Sequence, residues 1–427
     1  MLIWASPFNI CCFLDNHGYP GLPSHPAAFG CLLGAGAVET FSAPAGDAFS
    51  TFRNWTLTSR EWLFGHFGYG LAAETELAET GRAPEGKAAL SVPQIHPDPI
   101  GFPDLFFFVP ETVIELHPDH IRIGATRRDP AAIWQEICAI KPQPAVPLSP
   151  IAFVPRFSRE EYLTTVDALQ RHILRGDCYE INFCQEFFAR DVYPDPYSVW
   201  QALSKASPNP FSAFYRLDQH YLCCASPERF LKKSGATLLS QPIKGTAPRN
   251  HQDAAADQAF GAALRQSPKD RAENVMVVDL VRNDLAKVCL PGSVVVPELY
   301  GVYPFPQVYQ MISSITGEMR PGVHWTDAIR ACFPMGSMTG APKHRVVQLI
   351  ARYERSHRGL YSGAVGYVTP GGDFDFNVVI RSLLYEQGTG YLSYQVGSGI
   401  TWYSDPAAEY EECLVKAEGI RKALGNK

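Results

Sequence analysis

The 427-residue chain lacks the marks of several protein classes. It has no run of like charges and no basic stripe, and a formal charge of −6 argues against nucleic acid or an anionic membrane as its partner. No Cys-x-x-Cys occurs among its 11 cysteines, and the odd total includes the adjacent Cys11 and Cys12, and Cys223 and Cys224. That usage does not suit a disulfide scaffold, so the thiols are expected to be reduced and mostly buried. Met1 to Pro20 has no basic stretch before its apolar residues and contains Pro7, Asp15 and Pro20. This predicts neither a signal peptide nor a membrane span, and a cytoplasmic protein. There is no Gly-x-Ser-x-Gly, and no cysteine, histidine and acid arrangement of the kind that hydrolyses glutamine.

What is present suits a soluble globular enzyme with a large core: 46% hydrophobic and 19% charged residues. Residues 141–150, Lys-Pro-Gln-Pro-Ala-Val-Pro-Leu-Ser-Pro, form the one proline-dense stretch. They are expected to connect an N-terminal region, 1–150, to a catalytic region, 151–427. Leu105 to Val109 and His120 to Ile123 read as strands, beside an aromatic cluster of Trp62, Phe64, Phe67 and Tyr69. Ser158 to Arg175 predicts a helix, since Tyr162, Val166, Leu169 and Ile173 recur at three and four residues. Phe374 to Tyr385 and Gly390 to Thr401 predict a hairpin about Gln387-Gly388-Thr389-Gly390. Helices mixed with hairpins indicate an α+β fold with large, mainly antiparallel sheets flanked by helices.

Pro242-Ile-Lys-Gly-Thr-Ala-Pro-Arg249 holds Lys244 at the end of a strand, Thr237 to Pro242, between punctuating Gly245 and Pro248. Such a lysine is either a snorkelling surface residue or a rigidly held nucleophile. An unperturbed lysine, pKa about 10.4, is neutral only about once in 2,500 molecules at pH 7. Burial beside Ile243 is expected to lower that pKa.

Two helix starts carry paired acids. Ser267-Pro-Lys-Asp270 offers an N-cap, a proline at the first helical position and a capping-box acid, with Asp270 and Glu273 on one face. Asp405-Pro406 opens a C-terminal helix that buries Tyr410, Cys413, Leu414, Ala417 and Ile420 and sets Glu409, Glu412 and Lys416 on a neighbouring stripe. The acids are either solvated faces or oxygen ligands for a hard cation such as Mg2+. Phe333 to Lys343 ends at a helix start, yet Ala341 follows Gly340, so the phosphate-loop pattern fails there. Gly397-Ser-Gly399 has no third glycine and no following helix for a dinucleotide; its glycines suit close approach of a flat ligand.

From about Phe157 to Ile420 the chain resembles the chorismate-utilising enzymes, the group that makes anthranilate, aminodeoxychorismate, isochorismate and salicylate. The matching segments are Gly176-Asp-Cys-Tyr-Glu-Ile-Asn182, Ser226-Pro-Glu228, Pro242-Ile-Lys-Gly-Thr246, Asp270-Arg-Ala-Glu-Asn274 with Val278-Asp-Leu-Val-Arg-Asn-Asp284, Thr339-Gly-Ala-Pro-Lys343, Arg358-Gly-Leu-Tyr-Ser-Gly-Ala364 and the C-terminal acidic helix. Trp62 to Tyr69 carries a weaker likeness to the amino-terminal part of such proteins.

The resemblance implies Mg2+ on Glu273 and Glu412, with Asp270 and Glu409 in support, meeting the ring carboxylate of chorismate. It implies Tyr361, Arg381 and Lys416 for the enolpyruvyl carboxylate, Thr246, Gly397 and Gly399 along the ring, and Glu228 as the acid that protonates the departing C4 hydroxyl. The residue after Pro-Ile is lysine in members that aminate chorismate at C4 and alanine in the others, so Lys244 implies a covalent lysine intermediate on the way to 4-amino-4-deoxychorismate, 4-aminobenzoate and folate. Glu180 stands where water-adding members have lysine, and Gln310 where anthranilate-forming members have histidine. The remaining alternatives are anthranilate formation and a catalytically silent chorismate-binding regulatory subunit. Ammonia is expected from a separate glutamine amidotransferase subunit.

Overall fold

A computed structural model describes residues 1–19, 21–22, 25–26, 29–77, 96–141, 146 and 148–425. Half of the proline-dense stretch, 142–145 and 147, lies outside them. Two large sheets dominate, and every described strand pairing in them is antiparallel. The first runs, in spatial order, Val154–Pro155, Glu180–Ala189, Tyr391–Ile400, Ser382–Glu386, His220–Ser226, Phe211–Leu217, Ile10–Asp15, Cys31–Ala35, Thr112–Leu116 and Ile121–Ala125. The second runs Ile243–Pro248, Val308–Glu318, Thr237–Gln241, Arg229–Ser234, Phe374–Asn377, Ala364–Val368, Leu63–Phe67, Leu105–Val109 and Glu39–Ala43. Ile10–Asp15 pairs with Phe211–Leu217, and Leu63–Phe67 with Ala364–Val368, so the segments before and after residue 150 share both sheets.

The sheets face each other and carry helices on their outer sides, a consequence of the two-residue period of a strand. Cys12, Tyr215 and Cys224 face the second sheet, where Tyr215 meets His66 at 3.1 Å. Their neighbours Cys11, Phe214 and Cys223 instead join a cluster with Tyr162, Val166 and Leu169 of the Arg159–Leu174 helix and Cys413, Ala417 and Ile420 of the Pro406–Ala423 helix. Each adjacent cysteine pair therefore straddles the sheet as free thiols. Leu105–Val109 reads Leu-Phe-Phe-Phe-Val because both of its faces are covered. Phe107 stacks at 4.5 Å on Phe52 of the Ala48–Thr56 helix, while Phe108 lies 5.9 Å from Phe64.

Ser158 and Glu161 close a capping box on the Arg159–Leu174 helix. Ser267 caps Pro268–Ala286 by accepting from the Asp270 amide at 3.3 Å, but the expected return bond from the Asp270 carboxylate is replaced: the Ser267 amide donates to the Leu264 carbonyl. Asp405 caps Pro406–Ala423 through the Ala408 amide at 2.8 Å. Among the described residues no helix is long and apolar enough to cross a membrane.

The expected hairpin is half right. Ser382–Glu386 pairs with Tyr391–Ile400, whereas Phe374–Asn377 belongs to the second sheet, against Arg229–Ser234 and Ala364–Val368. The chain changes sheets over 378–381, ending at Arg381 with φ of 52°. Both halves have strand-like alternation, which does not register the crossing.

Candidate active site

Lys244 lies in the Ile243–Pro248 strand, one element beyond the strand at whose end it was expected. Pairing with Val308–Glu318 slips between Ile243 and Thr246, and Gly245 takes φ of 100° in the resulting irregularity. A Cβ there would stand 3.0 Å from the Asp270 side chain, so the position favours glycine on both counts. The Lys244 ammonium donates to Oε1 of Glu180 at 2.6 Å, joining the second sheet to the first. Glu180 is 2% exposed.

Burial disfavours the Lys244 ammonium, but the carboxylates of Glu180, Glu273 and Glu412 outweigh it and raise the pKa above the ordinary lysine value. The expectation that burial lowers it is thereby corrected: a carboxylate in contact contributes more than an apolar neighbour removes. Gly399 lies against this pair. A Cβ at that position would fall 2.5 Å from Glu180 Oε1 and 2.7 Å from Lys244 Nζ. At Gly397 it would meet the Cys184 sulfur at 2.4 Å.

The two acidic helices converge on the same region. Glu273 feels Lys244, Glu180, Lys269 and Glu409, and burial together with the neighbouring carboxylates pushes its pKa up to about 7. Lys269 Nζ lies 3.9 Å from Glu273 and 3.6 Å from Glu409. Glu412 is paired with Lys416 at 2.7 Å, as the i, i+4 spacing predicts, and Lys416 also donates to the Gly397 carbonyl at 2.9 Å. Burial opposes ionisation of Glu412, but Lys416, Lys269 and Lys244 outweigh it and hold its pKa below the ordinary value. Asp270 stands beside Gly245.

Glu228, 4% exposed, is pushed up to about 7 by burial, against the hydroxyl of Ser337, the Lys244 charge, the Ile243 amide and Arg381. Ser337 donates to Glu228 Oε1 at 2.6 Å. Burial lowers the pKa of Arg381 despite the Glu228 charge. Thr246 donates to Gln310 Oε1 at 3.0 Å, while Gln310 Nε2 is buried without a hydrogen bond. Tyr361 sits deeper, its hydroxyl 3.6 Å from the Cys184 sulfur.

Lys244, Glu273, Glu412, Glu409, Lys416, Gly397 and Gly399 thus form one connected neighbourhood, with Glu228 and Arg381 electrostatically coupled to it. Sequence reasoning missed Ser337 as the partner of Glu228 and Glu180 as the partner of Lys244. The only local signal was polarity inside otherwise apolar runs.

The family described as chorismate binding enzyme matches residues 41–422. Aminodeoxychorismate synthase component 1 of Klebsiella aerogenes is 42% identical over 270 residues, covering 62% of this chain and 58% of that protein. The chain therefore spans somewhat over half the length of that relative. The protein of the same name from Escherichia coli K12 is 36% identical over 363 residues, covering 84% and 76%. Among solved structures, anthranilate synthase component I from Streptococcus pneumoniae superposes with a TM-score of 0.78 at 26% identity, over 96% of this chain and 95% of that one. MenF, the menaquinone-specific isochorismate synthase of Escherichia coli, shares the fold at a TM-score of 0.76 and 17% identity, over 99% and 91%. The chain belongs to the chorismate binding enzymes.

Proposed function

We propose that the chain aminates chorismate at C4 with ammonia, giving 4-amino-4-deoxychorismate for 4-aminobenzoate and folate synthesis. The observation that carries this reading is Lys244, held from below by Glu180 at 2.6 Å and electrostatically coupled to a buried Glu228 of pKa about 7. The names of the relatives from Klebsiella aerogenes and Escherichia coli support it.

Lys244 attacks C2 of the ring, the two conjugated double bonds shift, and the C4 oxygen leaves as water with the Glu228 proton. Ammonia then adds at C4, the double bonds shift back, and the C2–Nζ bond breaks. A pKa near 7 leaves Glu228 protonated in about half the molecules at neutral pH, the optimum for an acid that must also be regenerated. Arg381, Lys416 and Tyr361 take the enolpyruvyl carboxylate, Tyr361 turning its hydroxyl from Cys184. Thr246, Gly397 and Gly399 line the ring, where the glycines leave room for a flat ligand.

Magnesium is the cofactor this site fits. Glu273 Oε1 is buried with no hydrogen-bond partner, and the surrounding donors are hard carboxylate oxygens. Glu273 and Glu412 would hold the ion, with Asp270 and Glu409 in support. The chemistry such an ion would supply there is charge neutralisation of a substrate carboxylate. Ammonia comes from a separate glutamine amidotransferase subunit, whose docking would raise its concentration at C4.

Mass spectrometry of the product from chorismate and ammonium, with and without magnesium, tests the reading. The expected product is aminodeoxychorismate, dependent on magnesium. Anthranilate, or no turnover with chorismate bound, would replace it with one of the alternative activities.

A further inference from the structure

The Glu180 carboxylate has a single hydrogen-bond partner among the described residues, Lys244, and its other oxygen, Oε2, is buried with none. A carboxylate serving only the fold would be expected to spend both oxygens on backbone or side-chain donors, as Glu354 does with the Cys184 amide and Arg358. Glu180 instead faces the one group of the site that must lose a proton before it can react. We propose that Glu180 is the base that takes the proton of Lys244, which rests on the reading of Lys244 as the nucleophile.

The step balances. The Lys244 ammonium passes one proton to Glu180 Oε1, and the freed lone pair forms the Nζ–C2 bond. The C4–O bond breaks, and its electron pair leaves as water with the Glu228 proton. Lys244 is then a secondary ammonium, Glu180 a neutral acid and Glu228 a carboxylate. When ammonia adds at C4 and the C2–Nζ bond breaks, Lys244 departs as a neutral amine and recovers its proton from Glu180. The new C4 ammonium returns one to Glu228. The charges that face Lys244 are Glu180 across the sheets, Glu273 on the Pro268–Ala286 helix and Glu412 on the Pro406–Ala423 helix. Glu228 also feels it. Only Glu180 stands within hydrogen-bond distance among the described residues.

The test mixes the full chain rapidly with chorismate and magnesium, without ammonia, quenches in acid and follows the intact mass for a gain of chorismate less one water. In the wild type the proton moves within the pair, so between pH 7 and 9 the adduct rate should follow only the loss of the Glu228 proton and fall as pH rises. Glu180→Gln should slow it about 100-fold at pH 7 and hold it roughly level through that range, because removal of the proton by solvent gains with pH what the loss of the Glu228 proton takes away. Chorismate affinity, measured by fluorescence titration, should stay within about threefold. If Glu180→Gln does not bind chorismate, Glu180→Asp carries the test: a slower adduct with the falling wild-type profile is expected, and a level profile overturns the proposal. A wild-type rate and profile in Glu180→Gln would overturn the role of Glu180 alone. Absence of the adduct in the wild type itself would overturn the Lys244 reading and this proposal with it.

Discussion

Ser337 donates its hydroxyl to Oε1 of Glu228 at 2.6 Å, so the proton of the neutral acid belongs on Oε2. This bond stabilises the carboxylate and opposes the burial that raises its pKa to about 7. Ser337→Ala should therefore move the pKa further up. A hydrogen bond to a charged group is worth about 1.5–3 kcal/mol, or about one to two pH units. The limb of the pH–rate profile that reports loss of the acid should shift upward by that order, and Ser337→Thr should restore it. An unmoved limb would mean that Ser337 does not tune Glu228.

Lys244→Ala should remove the covalent adduct while leaving slow, direct amination at high ammonium, because the metal and ring sites do not depend on the lysine. Intact mass on denatured protein checks the first part, and product analysis the second. An adduct that persists in the variant would place the nucleophile elsewhere.

Glu273→Gln and Glu412→Gln should each weaken magnesium binding by at least about tenfold, since each removes one charge from a site with few protein ligands. Titration calorimetry gives the affinity directly. Wild-type affinity in either variant would remove that residue from the ligand set.

Gly399→Ala inserts a methyl group 2.5 Å from Glu180 and 2.7 Å from Lys244, so the pair must part or shift. Overpacking of about 1–3 kcal/mol would appear as a loss of about 10- to 100-fold in kcat/KM, with little change in thermal stability because the Lys244 head can move. Unchanged kinetics would show that the pair tolerates displacement.

Arg358 is a stability determinant. It is buried, paired with Glu354 at 2.6 Å, and donates to the carbonyls of Asn182 and Met338, tying the strand of Glu180 to the segment of Ser337. Arg358→Met leaves the buried Glu354 carboxylate with no counter-charge and only the Cys184 amide as a donor, which should cost about 3–5 kcal/mol in chemical denaturation. A loss under about 1 kcal/mol would mean that Glu354 finds other donors.

The sequence by itself determined the elements and the chemical inventory. The apolar run over Leu105 to Val109, the three-and-four spacing over Tyr162 to Ile173 and the caps at Ser267 and Asp405 are short-range preferences, and each forms the predicted element. The motifs likewise named Lys244 and the acid pairs as candidates, because residue types carry their chemistry wherever they lie, while Glu228 came from the family resemblance. Only the tertiary structure decided which groups meet. Glu180 and Lys244 are 64 residues apart and sit in different sheets. Ser337 reaches Glu228 across 109 residues. The crossing at 378–381 separates two strand-like halves that local alternation joins. The sign of the Lys244 pKa shift was hidden for the same reason: desolvation follows partly from local apolarity, whereas the opposing Coulomb interaction depends on through-space distances that spacing along the chain does not encode.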